Sequence, residues 1–104
     1  MNGGHSLAAP EIIELELLQT LRRLRRMNLI DDATGGKALL NVDELAIERF
    51  SHAPLRARIW GLRGNLTAYD AAYFALAEML DAPLWTRDSK YASVPGHRAL
   101  IEIH

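Results

Sequence analysis

Leu66-Thr67-Ala68-Tyr69-Asp70-Ala71-Ala72-Tyr73, continued through Ala82-Pro83-Leu84-Trp85-Thr86-Arg87-Asp88, is the stretch that decides how this chain folds. Thr67 followed three residues later by Asp70 is a threonine–acid capping pair ahead of an alanine-rich apolar run, which predicts a helix over Thr67 to Leu80. Pro83 to Thr86 reads as a short strand. One carboxylate therefore stands at a helix start and another just past a strand. In an α/β sheet, acidic side chains from those two places can converge on one crevice. Converging carboxylates can hold a hard divalent cation, and a cation held that way supports phosphodiester chemistry. Each acid also has an ordinary role: Asp70 can serve the orphan amides of its helix, and Asp88 can cap or turn the chain ahead of Ser89. If the pair is a site, its carboxylates should lie within about 8 Å of each other.

Outward from this stretch, helix and strand alternate. Pro10 to Met27 reads as a helix opened by proline, with Ile13, Leu17, Leu21 and Leu24 on one face and acids leading arginines along its length. Asp31 or Asp32 can cap a second helix reaching to about Leu45, weakened by Gly35-Gly36. Ala46 to Ser51 reads as a strand, and Pro54 to Arg63 as a helix closed by Gly64-Asn65. Ser89 to Ala92 reads as a helical turn, and Arg98 to Ile103 as a final strand. Such alternation implies an α/β domain with a largely parallel sheet.

With 104 residues the chain is long enough for one small domain. Its net charge of −1 supplies no bulk positive field, so any nucleic-acid contact must come from a local patch. The absence of cysteine excludes disulfides and zinc–thiolate centres and is compatible with a reducing cytoplasm. No signal peptide is recognisable, and no apolar run is long enough to span a membrane.

A third carboxylate is available on the first helix. Glu14 and Glu16 both flank its apolar arc; periodicity leaves the choice open and slightly favours Glu14 as the more inward. Both also suit a solvated first turn. Arg22, Arg23, Arg25 and Arg26 spread around the helix rather than forming one stripe, so a solvated face is the default. The four histidines share no ligand spacing, Ser89 and Ser93 have no paired base, and no phosphate-cradling glycine loop is present. Trp60, Trp85 and Phe74 read as core rather than as a platform for bases.

Taken together, Leu66 to Tyr73, Ala75-Leu76-Ala77-Glu78, Ala82 to Asp88 and Pro95-Gly96-His97 resemble the C-terminal half of a PIN-domain nuclease of the VapC toxin type. Ala9-Pro10 with Glu16-Leu17-Leu18-Gln19-Thr20-Leu21-Arg22-Arg23 resembles that family's acidic helix. The resemblance implies a three-layer α/β/α sandwich, occupied here by residues 9–104, whose clustered acids bind Mg²⁺ or Mn²⁺ and cut RNA in the cytoplasm. Carried over by position, it places the family's helix glutamate on Glu16, its helix-start aspartate on Asp70 and its post-strand aspartate on Asp88. Thr86 matches a polar position near that site. It further implies a cognate antitoxin as partner and a homodimer.

Members of that family open with an apolar strand that ends in an aspartate and lies centrally in the sheet. Met1 to Ala8 carries neither an acid nor an apolar run, so these residues are expected to be a disordered or remnant N-terminus and the first central strand to be missing. A misplaced start codon, a shortened gene and a partner that fills the gap all fit. The alternative functional reading is a catalytically inactive remnant that binds an antitoxin. A chain lacking that strand and aspartate is expected to be weakly stable, and weakly active or inactive, by itself.

Overall fold

The computed structural model describes residues 7–86 and 94–103. The chain divides into two compact units, residues 1–49 and 50–104. Among the described residues it is mixed α/β, with four α-helices and a small parallel sheet.

The first unit holds β1 (Leu7–Pro10), α1 (Ile13–Arg26), α2 (Asp32–Val42) and β2 (Ile47–Phe50), whose last residue opens the second unit. β1 and β2 are neighbours in one sheet, and the Leu7 amide donates to the Ala46 carbonyl at 2.9 Å beside it. This corrects the expectation of a helix from Pro10. Ala9 and Pro10 are the buried end of a strand, and α1 begins three residues later. Proline suits a strand end as well as a first helical turn, and pairing with β2 decides between them.

α1 stops at a left-handed Asn28 (φ 59°), with the Leu29 amide reaching back to the Leu24 carbonyl at 3.0 Å. That is the Schellman arrangement, which favours a residue tolerant of positive φ. Asp31 then caps α2, as its position suggests: its carboxylate accepts from the Thr34 amide at 2.7 Å. This hydrogen bond holds the Asp31 carboxyl below the ordinary aspartate range. Arg25 Nε lies 2.6 Å from Asp32 Oδ1, tying the end of α1 to the start of α2. Neither helix buries a residue fully, and Leu15, Leu18, Leu39 and Leu40 are exposed.

The second unit runs through a 3₁₀ turn (Ala53–Leu55), α3 (Arg56–Gly61), α4 (Ala68–Leu80), β3 (Leu84–Thr86) and β4 (Ile101–Ile103). The expected helix over Pro54 to Arg63 is thus a proline-opened 3₁₀ turn leading into a short α-helix. β3 and β4 pair in parallel, with Leu84 opposite Ile101 and Thr86 opposite Ile103. α4 is the centre of this unit. Ala71, Ala72, Phe74, Ala75, Leu76 and Ala77 are all buried. The small side chains of the four alanines let Leu55 and Leu62 close on the helix beside Phe74 and Leu76, with Phe50, Ile59, Leu66, Leu84 and Ile101 around them. Fully burying side chains such as Phe74, Leu55 and Leu62 contributes about 1.5–3 kcal/mol each. α4 ends at a left-handed Asp81 (φ 50°), with the Ala82 amide donating to the Ala77 carbonyl at 3.0 Å. No helix among the described residues is long and apolar enough to cross a membrane.

Candidate active site

Asp70 sits in the first turn of α4, and the local sequence explains how it is held. Thr67 is the N-cap in an extended conformation (φ −64°, ψ 160°), and its hydroxyl accepts from the Asp70 amide at 3.2 Å. The cap fixes the backbone of Asp70 relative to the buried face of α4, beginning with Ala71. A negative charge in a first turn is favoured by the helix dipole. The Asp70 side chain is half-buried at the edge of the second unit's core.

The two glutamates of α1 differ in their surroundings. Glu14 Oε1 lies 2.8 Å from Arg49 Nε, an ion pair that joins α1 to β2 within the first unit. Its geometry is not that of a hydrogen bond, and Arg49 Nη2 is likewise buried without an acceptor. Glu16 is exposed, and its backbone carbonyl accepts from the Thr20 hydroxyl at 2.9 Å. The acid favoured by the helical wheel is thus paired with Arg49, and Glu16 is not without a partner either.

Asp88 lies outside the described residues, as does the turn expected over Ser89 to Ala92. The backbone of Thr86 ends β3 opposite Ile103. Among the described residues no three Asp, Glu, His or Cys side chains gather into a group that could hold a metal ion. Glu16 belongs to the first unit and Asp70 to the second.

A polar centre that the sequence did not announce lies in the second unit. Glu78 has a side chain only 3 % exposed. Arg58 Nε donates to its Oε1 at 2.7 Å and Nη2 to its Oε2 at 3.1 Å, while the Arg98 amide donates to Oε2 at 2.5 Å. Burial by itself would raise this carboxyl, but the Arg58 hydrogen bonds, the Arg98 amide and the charges of both arginines outweigh it. The Glu78 carboxyl is held below the ordinary glutamate range. The same contact pushes the Arg58 guanidinium above its ordinary value.

The pair also fixes the segment ahead of β4. Arg58 Nη2 donates to the Gly96 carbonyl at 2.8 Å, and Asn65 Nδ2 to the Pro95 carbonyl at 3.1 Å. The His97 ring meets Phe74 edge-on at 4.5 Å, and its Nδ1 accepts from the Ala99 amide. The available signal was Glu78 itself, the sole charged residue between Ala71 and Leu80. A charge in such a helix must be paired if it is buried.

The aromatic residues also divide. Phe74 is core, as expected, but Trp60 is 67 % exposed and is not. The inner side of α3 is filled by Ile59, with Leu55 before it and Leu62 after it, so the indole is left outside.

The chain is similar to curated proteins along most of its length. It is 42% identical over 82 residues to ribonuclease VapC9 of Mycobacterium tuberculosis, covering 79% of this chain and 65% of that protein. It is 40% identical over 89 residues to ribonuclease VapC1 of the same organism, covering 85% of this chain and 67% of the relative. With ribonuclease VapC12 the identity is 35% over 100 residues, or 96% of this chain and 78% of that protein. The chain thus spans just under two thirds of the length of VapC9. No protein-family model matches it.

Proposed function

The chain belongs to the VapC ribonuclease family, and from that premise we propose that it is a metal-dependent endoribonuclease toxin that hydrolyses RNA phosphodiesters. The observation that carries the reading is the 35% identity to VapC12 across 96% of the chain. In this reading Glu16, Asp70 and Asp88 are the catalytic and metal-holding residues. A cognate antitoxin neutralises the protein, the working form is a homodimer, and the RNA is met in the cytoplasm. The three-layer α/β/α PIN-like sandwich with a mostly parallel sheet belongs to the same proposal.

The donor chemistry fits a hard cation. All three side chains offer carboxylate oxygens, and the chain has no thiolate to offer. That set favours Mg²⁺ or Mn²⁺ over zinc. When bound, such a cation makes a water more acidic and offsets charge on the phosphate. The chain's own part is to present the carboxylates in fixed positions. For Asp70 that task falls to the Thr67 cap and the buried face of α4. Of the two α1 acids Glu16 is the candidate because its spacing to Leu21-Arg22-Arg23 matches the family's acidic helix. Hydrolysis by a water needs no nucleophilic side chain.

The test is to incubate the purified chain with single-stranded RNA in Mg²⁺, in Mn²⁺ and in EDTA. Cleavage with either metal and none in EDTA is expected. Equal cleavage in EDTA, or none under any condition, would contradict the proposal.

A further inference from the structure

α3 carries two chemically distinct faces. Arg58 points inward and is consumed by Glu78. Arg56 and Trp60 stand one turn apart on its exposed side, and Arg63, exposed, follows two residues after the helix ends. The guanidinium of Arg63 lies 4.5 Å from the centre of the Trp60 ring. It is held there by its own hydrogen bond, Nη1 donating to the Trp60 carbonyl at 2.9 Å. Among the described residues neither Arg56 nor Arg63 has a carboxylate partner. Between Arg49 and Asp70 the chain contains no Asp or Glu at all. A protein of net charge −1 thus concentrates positive charge around one exposed indole.

We infer that Trp60, Arg56 and Arg63 form a contact surface for single-stranded RNA, in which a base stacks on the Trp60 ring and phosphates run past the two arginines. The inference rests on the ribonuclease reading for its choice of polyanion. Stacking on an aromatic platform beside cations is how sequence-tolerant single-strand binding is achieved. A guanidinium fixed over one ring face is pre-organised for this, since it keeps its charge and leaves the other face to a base. The surface lies in the same unit as Asp70, one turn of chain before α4. Tyr69, next to Asp70 in sequence, is a second exposed aromatic of this unit, 64 % exposed.

The test measures binding apart from cleavage. A fluorescently labelled single-stranded RNA is titrated in EDTA against the full chain and against Trp60→Ala and Arg63→Glu, with thermal unfolding and sedimentation of each. Trp60→Ala and Arg63→Glu are expected to weaken binding about tenfold to a hundredfold. Arg63→Glu should also flatten the salt dependence, because a phosphate contact has gone. If Trp60→Ala and Arg63→Glu bind RNA within twofold of the parent, the surface is not an RNA contact; Asp70-dependent cleavage by those variants would then leave the ribonuclease reading standing alone. If the parent binds through Trp60 but does not cleave with either metal, the surface stands and the ribonuclease reading falls. If Trp60→Ala changes the sedimenting species but not the RNA affinity, the face is an interface between copies of the chain and the inference is overturned.

Discussion

Arg58 and Glu78 meet as a two-pronged pair, Nε to Oε1 at 2.7 Å and Nη2 to Oε2 at 3.1 Å, across twenty residues of sequence. The carboxylate is almost completely enclosed and the guanidinium one-third exposed. Removing one member of such a pair leaves the other's charge without compensation. Glu78→Ala is therefore expected to cost about 3 kcal/mol, read by urea unfolding. Glu78→Gln, which keeps the shape but not the charge, should cost less. A loss under about 0.5 kcal/mol for Glu78→Ala, the range of ordinary surface changes, would show that the pair does not organise the unit.

The same pair sets an acid limit on stability. The folded Glu78 carboxyl titrates below its unfolded value near 4.5. A lowered folded value means that the unfolded chain binds the proton more readily. The contribution is therefore present in full above the unfolded value and is lost as pH falls through the folded one. Unfolding midpoints should fall as pH drops below about 4.5, and Glu78→Gln should make that fall shallower. An acid limb of equal steepness in the variant would place the effect on other carboxylates.

Gly96 is the hinge on which the Arg58 contact to the backbone depends. Its φ is +92°, and a Cβ there would stand 3.2 Å from Asn65 Nδ2, the group that donates to Pro95. Gly96→Ala should cost about 1–2 kcal/mol through backbone strain. It should also weaken the anchoring of residues 95–97. Amide hydrogen exchange at His97 to Ala99 checks this: faster exchange in the variant is expected, and unchanged protection would contradict it.

Glu14 and Glu16 should separate cleanly. Glu14→Gln loses an ion pair half open to solvent, a stability cost of about 1 kcal/mol or less, and should leave RNA cleavage intact. Glu16→Gln should reduce cleavage more than a hundredfold, since losing even an outer-shell partner of a metal costs about 10–100-fold. The reverse pattern in a cleavage assay would make Glu14 the site acid and the helical wheel the better guide.

What the sequence revealed follows the range of the forces involved. The Asp31 and Thr67 caps, the β2 strand and the alanine-rich α4 depend on neighbours within a turn or two, and each stands where the residues put it. Pro10 misled because its signal is local while its fate depends on β2, some forty residues away. Trp60 misled because its size argues for burial, yet α3 is too short to bury more than one side, and Ile59 has it. Glu78, as the sole charge between Ala71 and Leu80, signalled a need for a partner but not which one, because Arg58 and Arg98 are both twenty positions distant. The candidate site was legible at Asp70 only as an ambiguity: the spacing that makes a capping pair is also the spacing carried over from a family resemblance. Periodicity alone left Glu14 and Glu16 open, and the preference for Glu16 came from its spacing to Leu21-Arg22-Arg23 in the family resemblance; the pairing of Glu14 with Arg49 is a contact that no pattern within α1 contains.

The most direct test of the account is the initial rate of single-stranded RNA cleavage in Mg²⁺ by the full chain and by Asp70→Asn, with the unfolding midpoint of each measured alongside. The account predicts that Asp70→Asn folds with its Thr67 cap intact and loses more than about a hundredfold in rate, the scale set by loss of a metal-site partner. A variant that cleaves within threefold of the parent, or a parent whose cleavage does not depend on the metal, would contradict it.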